Sequence, residues 1–164
     1  MRYGCVYMSS MITVTQSADI DAPPQKIWDY IADFKNWRQF TAAKLRFTKL
    51  YHDFRLAPGC AAGAGATVVM RRRNVNVSWT ITDWAPPCKL AMTARERHLL
   101  GSFDWSLAIT VSARTSLTTC VEIRFDFEPV GRLTNSLLSF FDAEKSFQAK
   151  AQEMLTRLKA ALGG

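Results

Sequence analysis

Apolar and polar residues alternate along most of this chain, and two stretches break the alternation with a helical period. From Ile12 to Asp21, Val14, Ala18 and Ile20 share one parity, while Thr13, Thr15, Ser17 and Asp19 share the other. That period of two predicts a half-buried strand. Ala22-Pro23-Pro24 ends it. Proline holds φ near the helical value and has no N–H to satisfy, so Pro24 can open a helix. Ile27, Trp28 and Ile31 then recur at helical spacing, and Asp33 to Trp37 starts a second short helix, the pair running from about Pro24 to Phe40. Leu45 to Phe54 mixes Phe47, Leu50 and Tyr51 with charges and reads as one strand. Pro58 to Gly65 is glycine-rich but lacks the Lys-Ser/Thr of a phosphate loop. It also leads into the apolar strand Thr67–Met70 instead of a helix, so it reads as a flexible hairpin connection.

The second half is more regular. Val77, Trp79 and Ile81 alternate with Ser78, Thr80 and Thr82 until Pro86-Pro87. Leu90, Met92 and Ala94 alternate with Lys89, Thr93 and Arg95, and Leu100-Gly101 marks a turn. Phe103, Trp105, Leu107, Ile109 and Val111 alternate with polar or small residues; after Thr115-Ser116, so do Val121, Ile123, Phe125 and Phe127. Four amphipathic strands with short turns predict an antiparallel meander with one wet face. Gly131 to Leu162 contains no proline and no internal glycine. Leu133, Leu137, Phe141, Glu144, Gln148, Ala151, Leu155, Leu158 and Leu162 follow helical spacing, flanked by Phe140, Phe147 and Met154. A helix beginning near Leu133, about 28 residues long, would span about 42 Å. The expected class is α+β: strand, two short helices, antiparallel strands, long C-terminal helix.

Length suits one domain, expected over residues 12–164, with residues 1–11 as a loose extension. The formal charge of +7 would draw polyanions, but Arg71, Arg73, Arg95 and Arg97 are interspersed with Asp104, Glu122, Asp126 and Glu128. Mixed signs argue against a nucleic-acid face. No run of about 18 apolar residues is present, so no transmembrane span is expected. Cys5, Cys60, Cys88 and Cys120 form no C-x-x-C pair, and His52 and His98 are the two histidines. No zinc spacing results, and neither a metal nor a cofactor is expected. Scattered cysteines, and the absence of a signal-peptide core in residues 1–11, point to a reducing cytoplasm.

The order of Ala22-Pro23-Pro24, Asp33-x-x-x-Trp37, Gly63-x-Gly65, Pro86-Pro87 and Phe127-x-Pro129 resembles the START-like, or SRPBCC, superfamily, particularly its polyketide cyclase/dehydrase branch. The resemblance extends from about Val14 to Leu162. It implies a helix-grip fold: a curved antiparallel sheet wrapped around a long C-terminal helix, with two short helices after the first strand. It also implies a hydrophobic small molecule held between sheet and helix. On this reading Trp37 and Phe40 line one rim. Met70, Trp79, Ile81, Met92, Trp105, Leu107, Ile123 and Phe125 form the sheet wall, and Leu137, Phe141 and Gln148 the helix wall. Their role is desolvation and shape, with Arg72 and Gln148 orienting a polar end.

Arg72 shares parity with Val68 and Met70, opposite to Arg71 and Arg73. A buried guanidinium needs a partner. Asp83 and Glu96, both on inward parity, could serve, as could a ligand carboxylate or enolate. A register shift at Asn74-Val75-Asn76 would leave Arg72 in solvent instead. His98, at a strand end beside Arg95, Glu96 and Arg97, reads as exposed, and His52 has no better claim. No Gly-x-Ser-x-Gly elbow or spaced Cys–His pair occurs, so no catalytic residue is assigned. The leading reading is a binder of a hydrophobic or amphipathic small molecule, lipid- or polyketide-like. The alternatives are a cyclase/dehydrase working by confinement and acid–base assistance, and a non-catalytic regulatory or interaction protein.

Overall fold

A computed structural model describes residues 11–41, 43–45, 48–50, 53–72, 75–98, 101–130 and 143–163. β1 (Ile12–Ile20) leads into α1 (Pro24–Ala32), a 3-10 turn (Phe34–Asn36) and α2 (Trp37–Phe40). Short strands β2 (Ala43–Leu45), β3 (Thr48–Leu50) and β4 (Asp53–Leu56) come next. Then come β5 (Thr67–Arg72), β6 (Val75–Ala85), β7 (Lys89–His98), β8 (Gly101–Ala113) and β9 (Thr119–Val130). The last described element, α3, spans Ala143–Leu162. Seven strands form one curved antiparallel sheet in the order β1-β9-β8-β7-β6-β5-β4, and α3 packs on it. This is the helix-grip arrangement.

Local chemistry sets the entry to the fold. Pro23 is extended (φ −69°, ψ 152°), which suits a residue preceding proline, and Pro24 takes the first helical turn. Ile27, Trp28 and Ile31 are then buried on one stripe. Asp33 stops α1 and caps the 3-10 turn, its Oδ1 accepting from the Lys35 backbone N–H at 3.0 Å. Buried Thr119 is satisfied, its hydroxyl donating to Ala22 O at 2.6 Å.

The stretch expected as one strand from Leu45 to Phe54 divides into pieces. β2 and β3 pair with each other as a separate two-stranded sheet, and β4 joins the main sheet beside β5. Leu45, Phe47, Leu50 and Tyr51 do not keep one parity over ten residues, so no single strand could bury one face with them. The glycine-rich connection between β4 and β5 is pinned to β6. The Gly65 N–H donates to Ile81 O at 2.8 Å, and Gly65 sits at φ +84°, where a side chain would be strained.

One bulge changes which side chains face inward. Ile81 pairs with Met92, but the next pairs are Asp83 with Ala91 and Trp84 with Leu90. The extra residue, Thr82, reverses the parity of the strand beyond it. Trp84 therefore packs on Trp28, edge to face at 5.0 Å. Asp83, expected to face inward, is partly exposed and pairs with Lys89 at 2.8 Å.

α3 buries Ala151, Met154, Leu155, Leu158 and Leu162, a stripe at i, i+3, i+4, i+7 and i+11. The helix lies against β1 and β9. Its C-terminal half is fixed to the other layers by Lys26 Nζ donating to Leu162 O (3.1 Å), Lys159 Nζ to Asp19 O (3.3 Å) and Arg157 Nη1 to Gln39 O (3.1 Å). The expected start of this helix near Leu133 falls in residues 131–142, outside those described.

Candidate functional site

Strand register builds the inner face row by row. Phe127 on β9 pairs with Trp105 on β8, Trp105 with Ala94 on β7, Ala94 with Trp79 on β6, and Trp79 with Val68 on β5. The next row joins Phe125, Leu107, Met92 and Ile81. Side chains directly opposite one another lie in contact range. The first row thus sets two indoles on either side of one small residue.

A pocket of about 80 Å³ lies between the sheet and α3. Phe54, Met70, Trp79, Met92, Trp105, Leu107 and Phe125 line it from the sheet, with Glu96 at one side. Met154 and Lys150 close it from α3, and Thr41 from the end of α2. The Lys150 Nζ lies 5.9 Å from the centre of the Phe125 ring. Phe147 on α3 packs edge to face on Trp105 (5.4 Å) and tilted on Phe125 and Phe127, beside the pocket.

A larger hollow of about 520 Å³ lies on the opposite face of the sheet, over Ser78, Thr80, Thr93 and Ser106. It is wide open and lined by hydroxyls and a bidentate ion pair: Arg95 Nε and Nη2 donate to the two Asp104 carboxylate oxygens at 2.5 and 2.6 Å. Size alone would favour it. The inner pocket, however, lies between two layers and its lining is mostly apolar, as ligand sites generally are, whereas the outer hollow opens to solvent beside an ion pair. The inner pocket is the candidate site.

The ion pair of the outer face has a pH signature. Hydrogen bonding to Arg95, and then its charge, hold the Asp104 carboxyl below the ordinary carboxylate range. A depressed folded pKa contributes stability above the unfolded value, lost as pH falls through the folded one. Wild type should therefore exceed Asp104→Asn in melting temperature at pH 7, by a small margin because both groups are exposed. The margin should shrink as pH falls from 7 through the depressed carboxylate pKa. Melting curves of both proteins across that range check this, and a margin independent of pH would contradict it.

The two indoles also carry unmet polar groups. Nε1 of Trp79 and Nε1 of Trp105 are both sealed from water and have no hydrogen-bond acceptor among the described residues. A buried donor left unmade costs about 1–3 kcal/mol. Trp37 shows the ordinary outcome, its Nε1–H donating to Ile31 O at 2.7 Å.

Of the residues expected around a ligand, the structure brings Met70, Trp79, Met92, Trp105, Leu107 and Phe125 together. Ile81 and Ile123 are fully buried on the same face but do not reach the pocket. Trp37 and Phe40 are corrected: they form no rim, being 0% and 1% exposed in the core, where Trp37 backs Phe54 at 5.1 Å. Gln148 is corrected too. It is exposed and donates to Glu144 Oε1 at 3.3 Å one turn back, since it lies off the stripe of Ala151, Leu155 and Leu158. Leu137, Phe141 and the Arg72 side chain fall outside what is described.

Residues that sequence reasoning missed are Thr41, Phe54, Lys150 and Met154. Lys150 and Met154 are four apart, and Met154 is four before Leu158, so helical spacing does carry them to the inner face. Glu96 keeps the inward parity of Met92 and Ala94, as expected. Thr41 carries no sequence signal; its hydroxyl donates to Trp37 O at 2.6 Å.

Among the described residues no group of three or more His, Cys, Asp or Glu could hold a metal ion, and Cys60, Cys88 and Cys120 are free. No helix among them is long and apolar enough to cross a membrane.

Comparison with known proteins agrees with this geometry. The sequence model of the family described as polyketide cyclase/dehydrase and lipid transport matches residues 11–163. The uncharacterized protein Rv1546 of Mycobacterium tuberculosis is 28% identical over 102 residues, 62% of this chain and 66% of that protein. The match therefore spans just under two thirds of that relative's length. Among solved structures, truncated norcoclaurine synthase from Thalictrum flavum superposes with a TM-score of 0.63 at 11% identity, covering 95% of this chain and 96% of the other. The Aha1 protein from Colwellia psychrerythraea, solved as a dimer, gives a TM-score of 0.60 at 14% identity over 93% of this chain and 96% of the other. At such identities the likeness concerns the fold.

Proposed function

The chain belongs to the polyketide cyclase/dehydrase and lipid transport family, and from that premise we propose that it binds a hydrophobic or amphipathic small molecule, lipid- or polyketide-like, between the sheet and α3. The observation that carries this reading is the mostly apolar pocket between the sheet and α3, walled by Trp79, Trp105, Met92 and Met154. Its volume of about 80 Å³ is well below the usual ligand site of about 300–1,000 Å³. Three of its lining residues, Met70, Met92 and Met154, are methionines. An unbranched thioether changes rotamer at little cost, so the pocket can widen around a guest.

Titration with an apolar fluorescent probe, N-phenyl-1-naphthylamine, tests the reading. Saturable one-site binding is expected, with affinity altered in Trp105→Ala while circular dichroism shows a folded protein. A probe-silent wild type would overturn it, and the pocket would then be ordinary core.

A second reading, conversion of the bound molecule by a cyclase/dehydrase, draws support from Glu96 and Lys150, a carboxylate and an ammonium lining the same pocket. Acid–base assistance to aldol closure and loss of water would need such groups within reach of a carbonyl. We expect Glu96→Gln to keep binding and the wild type to show no turnover. Conversion of a carbonyl substrate, abolished by Glu96→Gln with affinity intact, would establish the enzyme instead.

A further inference from the structure

We propose that the edge of the fold built by the 3-10 turn, α2, β4 and β5 is a docking surface for an anionic lipid bilayer, held by the charges of Lys35, Arg38, Arg55 and Arg71. This surface is separate from the inner pocket and stands whether or not that pocket holds a guest.

Charge is divided unevenly along the chain. Between Asp33 and Asp83 lie nine of the 21 Lys and Arg residues but one of the 14 Asp and Glu residues, Asp53. Nine cations against one acid make that stretch +8, and twelve against thirteen make the rest −1. The basic character of the protein therefore belongs to one part of it.

The fold gathers cations of that stretch at one place. The 3-10 turn and α2 pack on β4, the last strand of the sheet. Lys35, Arg38 and Arg55 line one open hollow of about 440 Å³ there, with Asp53 and Phe54. Arg71 is the cross-strand partner of Asp53, which sets a fourth cation beside them. All four are exposed. The one carboxylate lies 3.6 Å from Arg38 Nε. Lys35, Arg55 and Arg71 have no acidic partner among the described residues. By contrast, Lys89, Arg95, Arg114, Arg124 and Arg157 each meet a carboxylate.

The form of the surface selects its partner. The rings of this edge, Phe34, Trp37, Phe40 and Phe54, are buried, so none is offered for stacking on nucleic-acid bases. A protein interface has an apolar centre depleted of charge. The large apolar residues exposed among those described, Met11 and Leu117, lie before β1 and between β8 and β9, away from this edge. A bilayer rich in anionic lipid asks for neither feature. It presents a plane of negative charge, near which each Lys or Arg adds about fivefold in affinity. Phe54 lines both the basic hollow and the inner pocket, so a single side chain separates the two.

Co-sedimentation with vesicles tests the proposal on the full-length protein. Vesicles of phosphatidylcholine with about 30% phosphatidylserine are expected to bind it at about 0.1 M salt and release it at about 0.5 M, and phosphatidylcholine alone to leave it in solution. Combining Lys35→Ala, Arg55→Ala and Arg71→Ala should weaken binding about 100-fold, fivefold for each charge. Combining Arg95→Ala, Arg114→Ala and Arg124→Ala removes the same charge on or just beyond β7, β8 and β9, three or more strands from β4. That is beyond the Debye length of about 10 Å, so binding should change less than about threefold. Circular dichroism checks that both variants fold. Equal losses in the two variants, or equal binding to both kinds of vesicle, would overturn the proposal. So would tighter binding of a single-stranded RNA of about 20 nucleotides through the same three cations, which would make the edge a nucleic-acid surface. N-phenyl-1-naphthylamine should bind the first variant as it binds wild type. A wild type that ignores anionic vesicles would thus leave the pocket reading standing, and a probe-silent protein that sediments with them would leave the docking surface standing.

Discussion

Replacing Trp37 with alanine is expected to lower the free energy of unfolding by about 3–5 kcal/mol, the usual range for truncating a fully enclosed large aromatic. Trp37 is 0% exposed. Its ring meets Phe34 at 5.3 Å, Phe54 at 5.1 Å and Phe40 at 5.7 Å, the last edge to face. Its Nε1–H closes α1 by donating to Ile31 O at 2.7 Å. The residue thus joins α1, α2 and β4, and a cavity there cannot collapse without moving all three. Trp37→Phe separates the two contributions. It keeps most of the apolar contact and loses the hydrogen bond, at about 1–3 kcal/mol if the carbonyl is left without a donor. Guanidinium titrations of the three proteins, with slopes unchanged, measure both steps. A loss below about 1 kcal/mol for the alanine variant would mean that the two short helices are not part of the cooperative core. Because Phe54 lines the pocket and leans on Trp37, the same substitution should weaken binding of apolar probes.

The role of Trp37 illustrates what was legible in the sequence. Its spacing from Asp33 marks the second helix, and the family resemblance places it at a ligand rim. Periodicity states that a residue faces inward; it does not state whether the inward space is filled. Trp37 and Trp105 look alike in sequence, yet one is sealed among three rings and the other reaches a pocket. The strands of the second half were legible because their alternation is strict and their turns are short. Asp83 was misplaced because one extra residue at Thr82 reverses parity, and a bulge leaves no mark that alternation can detect. The row that places Ala94 between Trp79 and Trp105 depends on the register of three strands, which no single strand encodes.

The helix offers the sharpest contrast. Leu155→Ala is expected to cost about 2–5 kcal/mol, and Gln148→Ala to change stability by less than about 0.5 kcal/mol. Both positions fell on the same inferred helical face, because stepping by three or four residues from Glu144 through Gln148 to Ala151 and Leu155 preserves the spacing. The structure divides them. Leu155 is 0% exposed in the stripe with Met154, Leu158 and Leu162, pressed on the sheet. Gln148 is exposed, and its amide is bonded to Glu144 in its own helix. A helical stripe drifts around the axis, because 3.6 residues per turn is matched by neither three nor four. That drift is only about 20° over seven residues; what turns Gln148 outward is that toward the N-terminal end the inner face passes through Phe147, Lys150 and Met154. Denaturant titration of the two variants beside wild type decides the matter. Equal losses would return Gln148 to the inner face and with it the helix wall expected from sequence. A large loss at Leu155 alone would identify the apolar C-terminal half of α3 as the part that holds the helix on the sheet, with Met154 one residue away as the side chain it carries into the pocket.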